Sequence, residues 1–268
     1  MKVVFYSLLI LLLTVFTQIG GLLLILLLPV LRLIRLSSKW LQTIVRTVTF
    51  LLIYTFTVFA IVPPLAALNN RVPLPCFADE KTPLAAANAG YCLLLRNYVT
   101  PAILSHMHDV SWKLQRQYSY DSTLYYLDAS FPFWDGFPLI PHLSHKDGQK
   151  LDLAFYYQHK TTKKPLTAPP SWLGYWFYEQ PTSPQDAACQ NEKSWLRWDM
   201  NWLQAWYTDY EIDEQRTSDL IKLLTRSADK ILLEPHLKQR LELNSPVVRF
   251  QGCHAARHDD HVHVQWKI

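Results

Sequence analysis

The chain opens on two long apolar runs. From Val3 to Leu28 the only strongly polar side chain is Gln18, and from Thr47 to Leu68 no charged residue interrupts the stretch between Arg46 and Asn69. About 20 consecutive apolar residues cross the hydrocarbon of a bilayer, so both runs predict transmembrane helices. The first is too long for the apolar region of a cleaved signal peptide, and no small-x-small site follows it before Pro29 and Arg32. Arg32, Arg35, Lys39 and Arg46 lie between the runs, against Lys2 ahead of the first and Arg71 just after the second. Short loops rich in Lys and Arg stay in the cytoplasm, which places everything after Asn69 on the outer side.

Beyond Asn69 the pattern changes to short periodic segments separated by Pro and polar clusters. Residues 1–68 therefore read as two transmembrane helices with a short basic cytoplasmic loop, and 69–268 as one extracytoplasmic domain, long enough for its own core. Trp195, Trp198, Trp202, Leu203 and Trp206 recur at three- and four-residue steps and predict an amphipathic helix with an aromatic core face. A second helix is expected from Glu214 to about Arg226, with Leu220, Ile221, Leu223 and Leu224 inward, then a strand over Ile231–Leu233 and a brief helix from Pro235 to Leu241. Two stretches have a period of two: Lys150–Tyr156, with the leucines and Phe155 on one face, and His261–Trp266, with Val262, Val264 and Trp266 on one face. The expected class is α+β: a small antiparallel sheet with flanking helices, behind the two membrane helices.

Composition adds little to this division. Half of the residues are hydrophobic and 18% are charged. The net charge of +4 reflects basic residues near the membrane, and no nucleic-acid motif accompanies it. All four cysteines, Cys76, Cys92, Cys189 and Cys253, fall in the outward domain, where an oxidising compartment permits disulfides. The expected pairing is Cys76 with Cys92 and Cys189 with Cys253, of which nearness in sequence supports only the first. No Cys-x-x-Cys spacing points to a cysteine-bound metal.

The candidate chemistry lies on the polar faces of the two alternating stretches. If they neighbour one another in one sheet, Asp152 and His263 converge on a single ion, with His145 supplied by the loop entering the first strand. Two histidines, a carboxylate and an open position suit a catalytic zinc. The motifs read His142-Leu143-Ser144-His145-Lys146-Asp147-Gly148-Gln149-Lys150-Leu151-Asp152 and His258-Asp259-Asp260-His261-Val262-His263-Val264. A competing cluster, His106-Met107-His108-Asp109, lacks a further ligand at suitable spacing and reads as a plain polar helix or loop.

The two motifs resemble the penicillin-insensitive murein endopeptidases, which show His-x-Ser-His-x-x-Gly-x-x-x-Asp followed far downstream by His-x-x-His-x-His-Val. These are relatives of the D-Ala-D-Ala carboxypeptidases and dipeptidases and of the Hedgehog amino-terminal domain. The resemblance covers Leu139 to Asp152 and, more weakly, Ile231 to Val264. It implies zinc bound by His145, Asp152 and His263, with His261 as the catalytic histidine and His258 and His142 at the site. His258 is grouped with His261 as catalytic, and His142 lines the site. Lys150 departs from the small or apolar residue usual in the family, which bears on substrate preference.

The function that follows as an expectation is a zinc peptidase of the D,D-endopeptidase type. It would hydrolyse peptidoglycan peptide crosslinks at the outer face of a bacterial inner membrane, in the periplasm. The alternative is a zinc-binding ectodomain without catalysis, serving as a structural or interaction module. No Glu stands within the terminal motif to act as base, although folding can deliver Glu234. Asp259 or Asp260 is expected to hold His261 or His258 by a hydrogen bond.

Overall fold

In a computed structural model of the chain, the described residues are 2–118, 122–183, 187–189, 194, 197, 202 and 208–267. The first apolar run does not form one helix. It is divided into α1 (Lys2–Thr17) and α2 (Gly20–Leu33), joined where Gln18 adopts φ 66°. The chain reverses there, because Gly21 comes so close to Thr14 and Ile10 that a Cβ would meet the Thr14 hydroxyl at 2.0 Å and the Ile10 carbonyl at 2.5 Å. The expected first span is thus corrected to two shorter apolar helices packed on each other. The reason is local: adjacent glycines allow close approach, and the polar Gln18 finds partners outside the helix. Gln18 is buried, accepts a hydrogen bond from the Phe133 amide at 3.0 Å and donates to the Trp134 carbonyl at 3.4 Å.

The second run forms a continuous rod, Lys39–Ala67, made of α3 (Lys39–Phe56), a π turn (Thr57–Ile61) and α4 (Val62–Ala67). Among the described residues it is the one helix long and apolar enough to cross a membrane. Pro63 and Pro64 explain the π turn, since neither has an amide to bond the preceding turn and the ring crowds it. Ser38 accepts from the Leu41 amide and starts the rod. Arg46 ties it to the end of α2 by donating to the carbonyls of Arg32 and Ile34, at 3.3 and 2.8 Å.

The rest of the chain contributes β1 (Val72–Pro73), β2 (Leu84–Ala86), α5 (Gly90–Leu93), β3 (Tyr98–Val99), α6 (Pro101–Tyr118), β4 (Leu124–Tyr126), β5 (Lys150–Ala154), β6 (Tyr157–His159), β7 (Tyr210–Ile212), α7 (Glu214–Leu224), β8 (Lys230–Leu232), α8 (Pro235–Arg240), β9 (Val248–Arg249) and β10 (His261–Gln265). The main sheet has six strands in the order β2-β4-β5-β10-β8-β9. Its centre is antiparallel, but β2 with β4 and β8 with β9 are parallel, so it is larger and more mixed than the alternating stretches suggest. α7 begins at Asp213, whose side chain accepts from the Arg216 amide, and buries Leu220, Ile221 and Leu224, with Leu223 half-buried. The expected helix over Trp195–Trp206 falls on residues that, apart from Arg197 and Trp202, lie outside those described.

One face of the sheet makes the core. Leu151, Leu153, Val262 and Val264 join Met107 and Leu114 of α6 and Leu220 and Leu224 of α7 in a single buried cluster. A second cluster joins the N-terminal helices to the domain: Ile19, Tyr54, Val58, Val62 and Ala66 pack with Leu95, Tyr98, Phe131 and Leu139. Tyr54 also donates to the Leu93 carbonyl at 2.6 Å.

The disulfides are Cys76–Cys92 and Cys189–Cys253, and no cysteine is free. A cross-link across a short loop such as that between Cys76 and Cys92 stabilises by roughly 3 kcal/mol, chiefly by restricting the unfolded chain. Cys76→Ser with Cys92→Ser should therefore lower the denaturant midpoint of the oxidised protein by a corresponding amount. An unchanged midpoint would show that this bridge carries no stability.

Candidate metal centre

The centre is a product of strand pairing. β5 and β10 are antiparallel neighbours in a register that sets His263 opposite Asp152 and His261 opposite Ala154. Because side chains alternate across a strand, the register that puts the leucines and valines into the core delivers Asp152, His261 and His263 together to the opposite face. His145 arrives from the loop before β5, and its Nδ1 lies 2.8 Å from the Ala129 carbonyl, which fixes the proton there and frees Nε2. Gly148, in the turn between them, has φ 69° and abuts the Arg71 guanidinium, so that a Cβ would lie 2.3 Å from Arg71 Nε. That is a physical reason for glycine in the motif: both the positive φ and the contact with Arg71 exclude a side chain.

His145, Asp152 and His263 are all buried, and one ligand atom from each lies within 4.8 Å of the others. His145 Nε2 is 3.1 Å from His263 Nδ1 and 3.2 Å from Asp152 Oδ1, and His263 Nδ1 is 2.7 Å from Asp152 Oδ1. Donors held about 2.0–2.2 Å from a tetrahedral ion are separated by roughly 3.3 Å, so this set can close on a metal ion with small adjustments. The remaining nitrogen of His263 faces the Gln265 carboxamide at 2.9 Å.

Other groups orient these ligands. The Tyr175 hydroxyl donates to Asp152 Oδ2 at 2.6 Å and accepts from the Asp128 amide at 3.2 Å. Asp128 accepts from Arg96 Nε and Nη2 at 2.5 and 2.7 Å, and its Oδ2 is 2.6 Å from His142 Nδ1. His142 thereby faces the centre, with Nδ1 3.5 Å from Asp152 Oδ2. His261 Nδ1 lies 2.5 Å from Asp260 Oδ1, and the other oxygen of Asp260 accepts from the Trp176 amide at 2.6 Å. His261 Nε2 is turned inward, 3.7 Å from Asp152 Oδ1. Asp260 therefore holds His261, while Asp259 is engaged by Arg257 at 2.9 and 2.5 Å.

Electrostatics separate the roles. Burial alone would raise the pKa of Asp152, but His145, His261 and His263 around it hold it well below the usual carboxylate range. Burial would lower that of His261, yet Asp260 and Asp152 outweigh it and raise it to about 9. His263 is pushed down to about 4 by burial, against the pull of Asp152. His258 is driven well below its ordinary value, first by burial and then by His261 and His263, and stays neutral.

All six motif histidines and carboxylates singled out in the sequence, His142, His145, Asp152, His258, His261 and His263, are brought to this face. The ring of His258 lies 5.2 Å from that of His261 and 5.5 Å from that of His263. Glu234 comes close but is occupied: it accepts from Arg197 at 3.0 Å and from the His258 amide at 3.3 Å, so it supports the backbone. His106, His108 and Asp109 lie on α6 and form no metal cluster among the described residues. Sequence reasoning missed Arg96, Asp128 and Tyr175. A buried Arg–Asp pair has no local signature, and Tyr175 sits in a segment without periodicity. A scan of protein-family models and a search of curated proteins found no match to this chain.

The hydroxyl of Tyr175 orients Asp152 without itself ligating. Tyr175→Phe should therefore weaken metal affinity by about 10-fold or more, the usual worth of such an outer hydrogen bond, in a competition titration with a chromogenic chelator. Unaltered affinity would show that Asp152 needs no such support.

Proposed function

We propose that the protein is a zinc-dependent peptidase acting on peptidoglycan peptides at the outer face of a membrane. The observation that carries this reading is the convergence of His145, Asp152 and His263, with the Asp260-held His261 beside them. Two imidazole nitrogens and one carboxylate oxygen are the donor set zinc takes when a coordination position is left for chemistry. A zinc ion there would supply Lewis acidity, polarising a peptide carbonyl and acidifying a water molecule.

The chain's own residues would do the rest. Asp260 keeps a proton on His261 Nδ1 and, with Asp152, raises its pKa to about 9, so His261 would hold a second proton on Nε2, with which it would steady the tetrahedral oxyanion and protonate the leaving amine. His142, fixed by Asp128 and with a side chain 20% exposed, is the most open histidine of the centre and is suited to meet substrate. Neutral His258 packs behind His261 and His263. The near-complete burial of the set favours the second reading, a metal-binding ectodomain without catalysis. Incubation with crosslinked muropeptides, with and without chelator, separates the two.

The protein should bind about one zinc per chain, lost on His145→Ala, Asp152→Ala or His263→Ala. His261→Ala should keep zinc, while hydrolysis falls by about 10²-fold or more. Metal analysis beside a muropeptide assay checks both. Zinc retained by Asp152→Ala would overturn the ligand set, and unchanged hydrolysis in His261→Ala would remove it from the mechanism.

The membrane reading rests on the rod Lys39–Ala67, with the α1–α2 hairpin turning back beneath the domain and the basic residues Arg32, Arg35, Lys39 and Arg46 on the cytoplasmic side. A reporter fused after Asn69 should be active only outside, and one fused at Ser38 only in the cytoplasm. Outer activity at Ser38 would reverse the orientation.

A further inference from the structure

The loop that carries His142 and His145 also rests on the N-terminal helices. Its Phe133 amide and Trp134 carbonyl bond to Gln18 at the tip of the α1–α2 hairpin. Phe131 and Leu139 are buried with Ile19, Tyr54 and Val58, and Phe133 and Phe137 pack against the same cluster. The Ala129 carbonyl that orients His145 belongs to the same stretch, so the centre lies within a few residues of the helices.

Helix lengths then decide the depth. From Arg46 to Tyr54, where the domain first touches the rod, the rise is only about 12 Å, and from Arg32 up to Gly20 it is about 18 Å. The hydrocarbon of a bilayer is about 30 Å thick. With the basic ends at the cytoplasmic headgroups, the underside of the domain is below the outer surface of the membrane. The surface there fits lipid. Trp134, Ile140 and Leu143 on the loop are 54%, 44% and 53% exposed, and Leu93 and Leu94, beside the Tyr54 contact, are 36% and 37% exposed. Gln18 at this level is satisfied by the loop backbone, and Asp135, although 71% exposed, is paired with Arg71.

We infer that this underside is seated in the outer leaflet, with Trp134, Ile140 and Leu143 against lipid, so that the centre takes peptides presented on lipid anchors. The inference rests on the membrane and peptidase readings above. A peptide tethered to the bilayer reaches such a centre at a high effective concentration, whereas a free peptide must approach from bulk water.

Because all four cysteines are paired, single introduced thiols can carry a fluorophore in proteoliposomes containing bromolipids. Label at Trp134→Cys and Leu143→Cys should be quenched, as at Leu52→Cys on the rod, and label at Lys163→Cys in the exposed turn after β6 should not. Quenching at Leu52→Cys with none at the two loop positions would overturn the inference and leave the membrane reading intact. No quenching at Leu52→Cys would overturn both. With the unsubstituted protein in the same vesicles, a lipid-anchored peptide should be cut about 10²-fold faster than its free counterpart. Equal rates would overturn the substrate assignment, and cleavage of neither would overturn it together with the peptidase reading.

Discussion

Asp152 is a fully buried carboxylate at the centre of a sheet, and much of the surrounding structure answers to it. A buried charge is tolerated when it is paired and hydrogen-bonded. Here the partners come from three separate parts of the chain: His145 from the loop before β5, Tyr175 from an irregular segment, and His261 and His263 from β10. Losing the β5–β10 register by one residue would send Asp152 into the leucine and valine core and remove the imidazoles that accompany it. The same pairing that satisfies a buried charge therefore assembles a set that could hold a metal ion.

Around this set the charges are arranged in layers. Asp128 is neutralised by Arg96 and directs His142, and Asp260 directs His261, so these two imidazoles beside the candidate ligands each have a carboxylate behind them. Burial pushes Asp259 up to about 6 against the pull of Arg257, with Asp260 and Glu234 adding to the rise.

The N-terminal helices are part of the same construction. Gln18 occupies the hairpin tip because a polar side chain within an apolar stretch requires partners, and the backbone at Phe133 and Trp134 supplies them. The loop that delivers His142 and His145 is thus braced on one side by the helices and on the other by the sheet.

Much of the candidate site was legible in the residues themselves. Period-two alternation in Lys150–Tyr156 and His261–Trp266 determined which side chains share a face, since strand geometry depends only on local backbone sterics. Resemblance to a known motif, rather than spacing alone, is what added His145 to Asp152 and His263 as candidate ligands. Alternation does not say which strands are neighbours, however, and only the tertiary structure decided that β10 lies between β5 and β8 and that parallel strands extend the sheet at both edges. Apolar length marked the run Val3–Leu28, but hydropathy does not register a reversal, which depends on close packing at Gly20 and Gly21 and on distant partners for Gln18. Arg96, Asp128 and Tyr175 were invisible for the same reason. Their roles come from contacts between segments far apart in the chain, and no local pattern encodes such contacts.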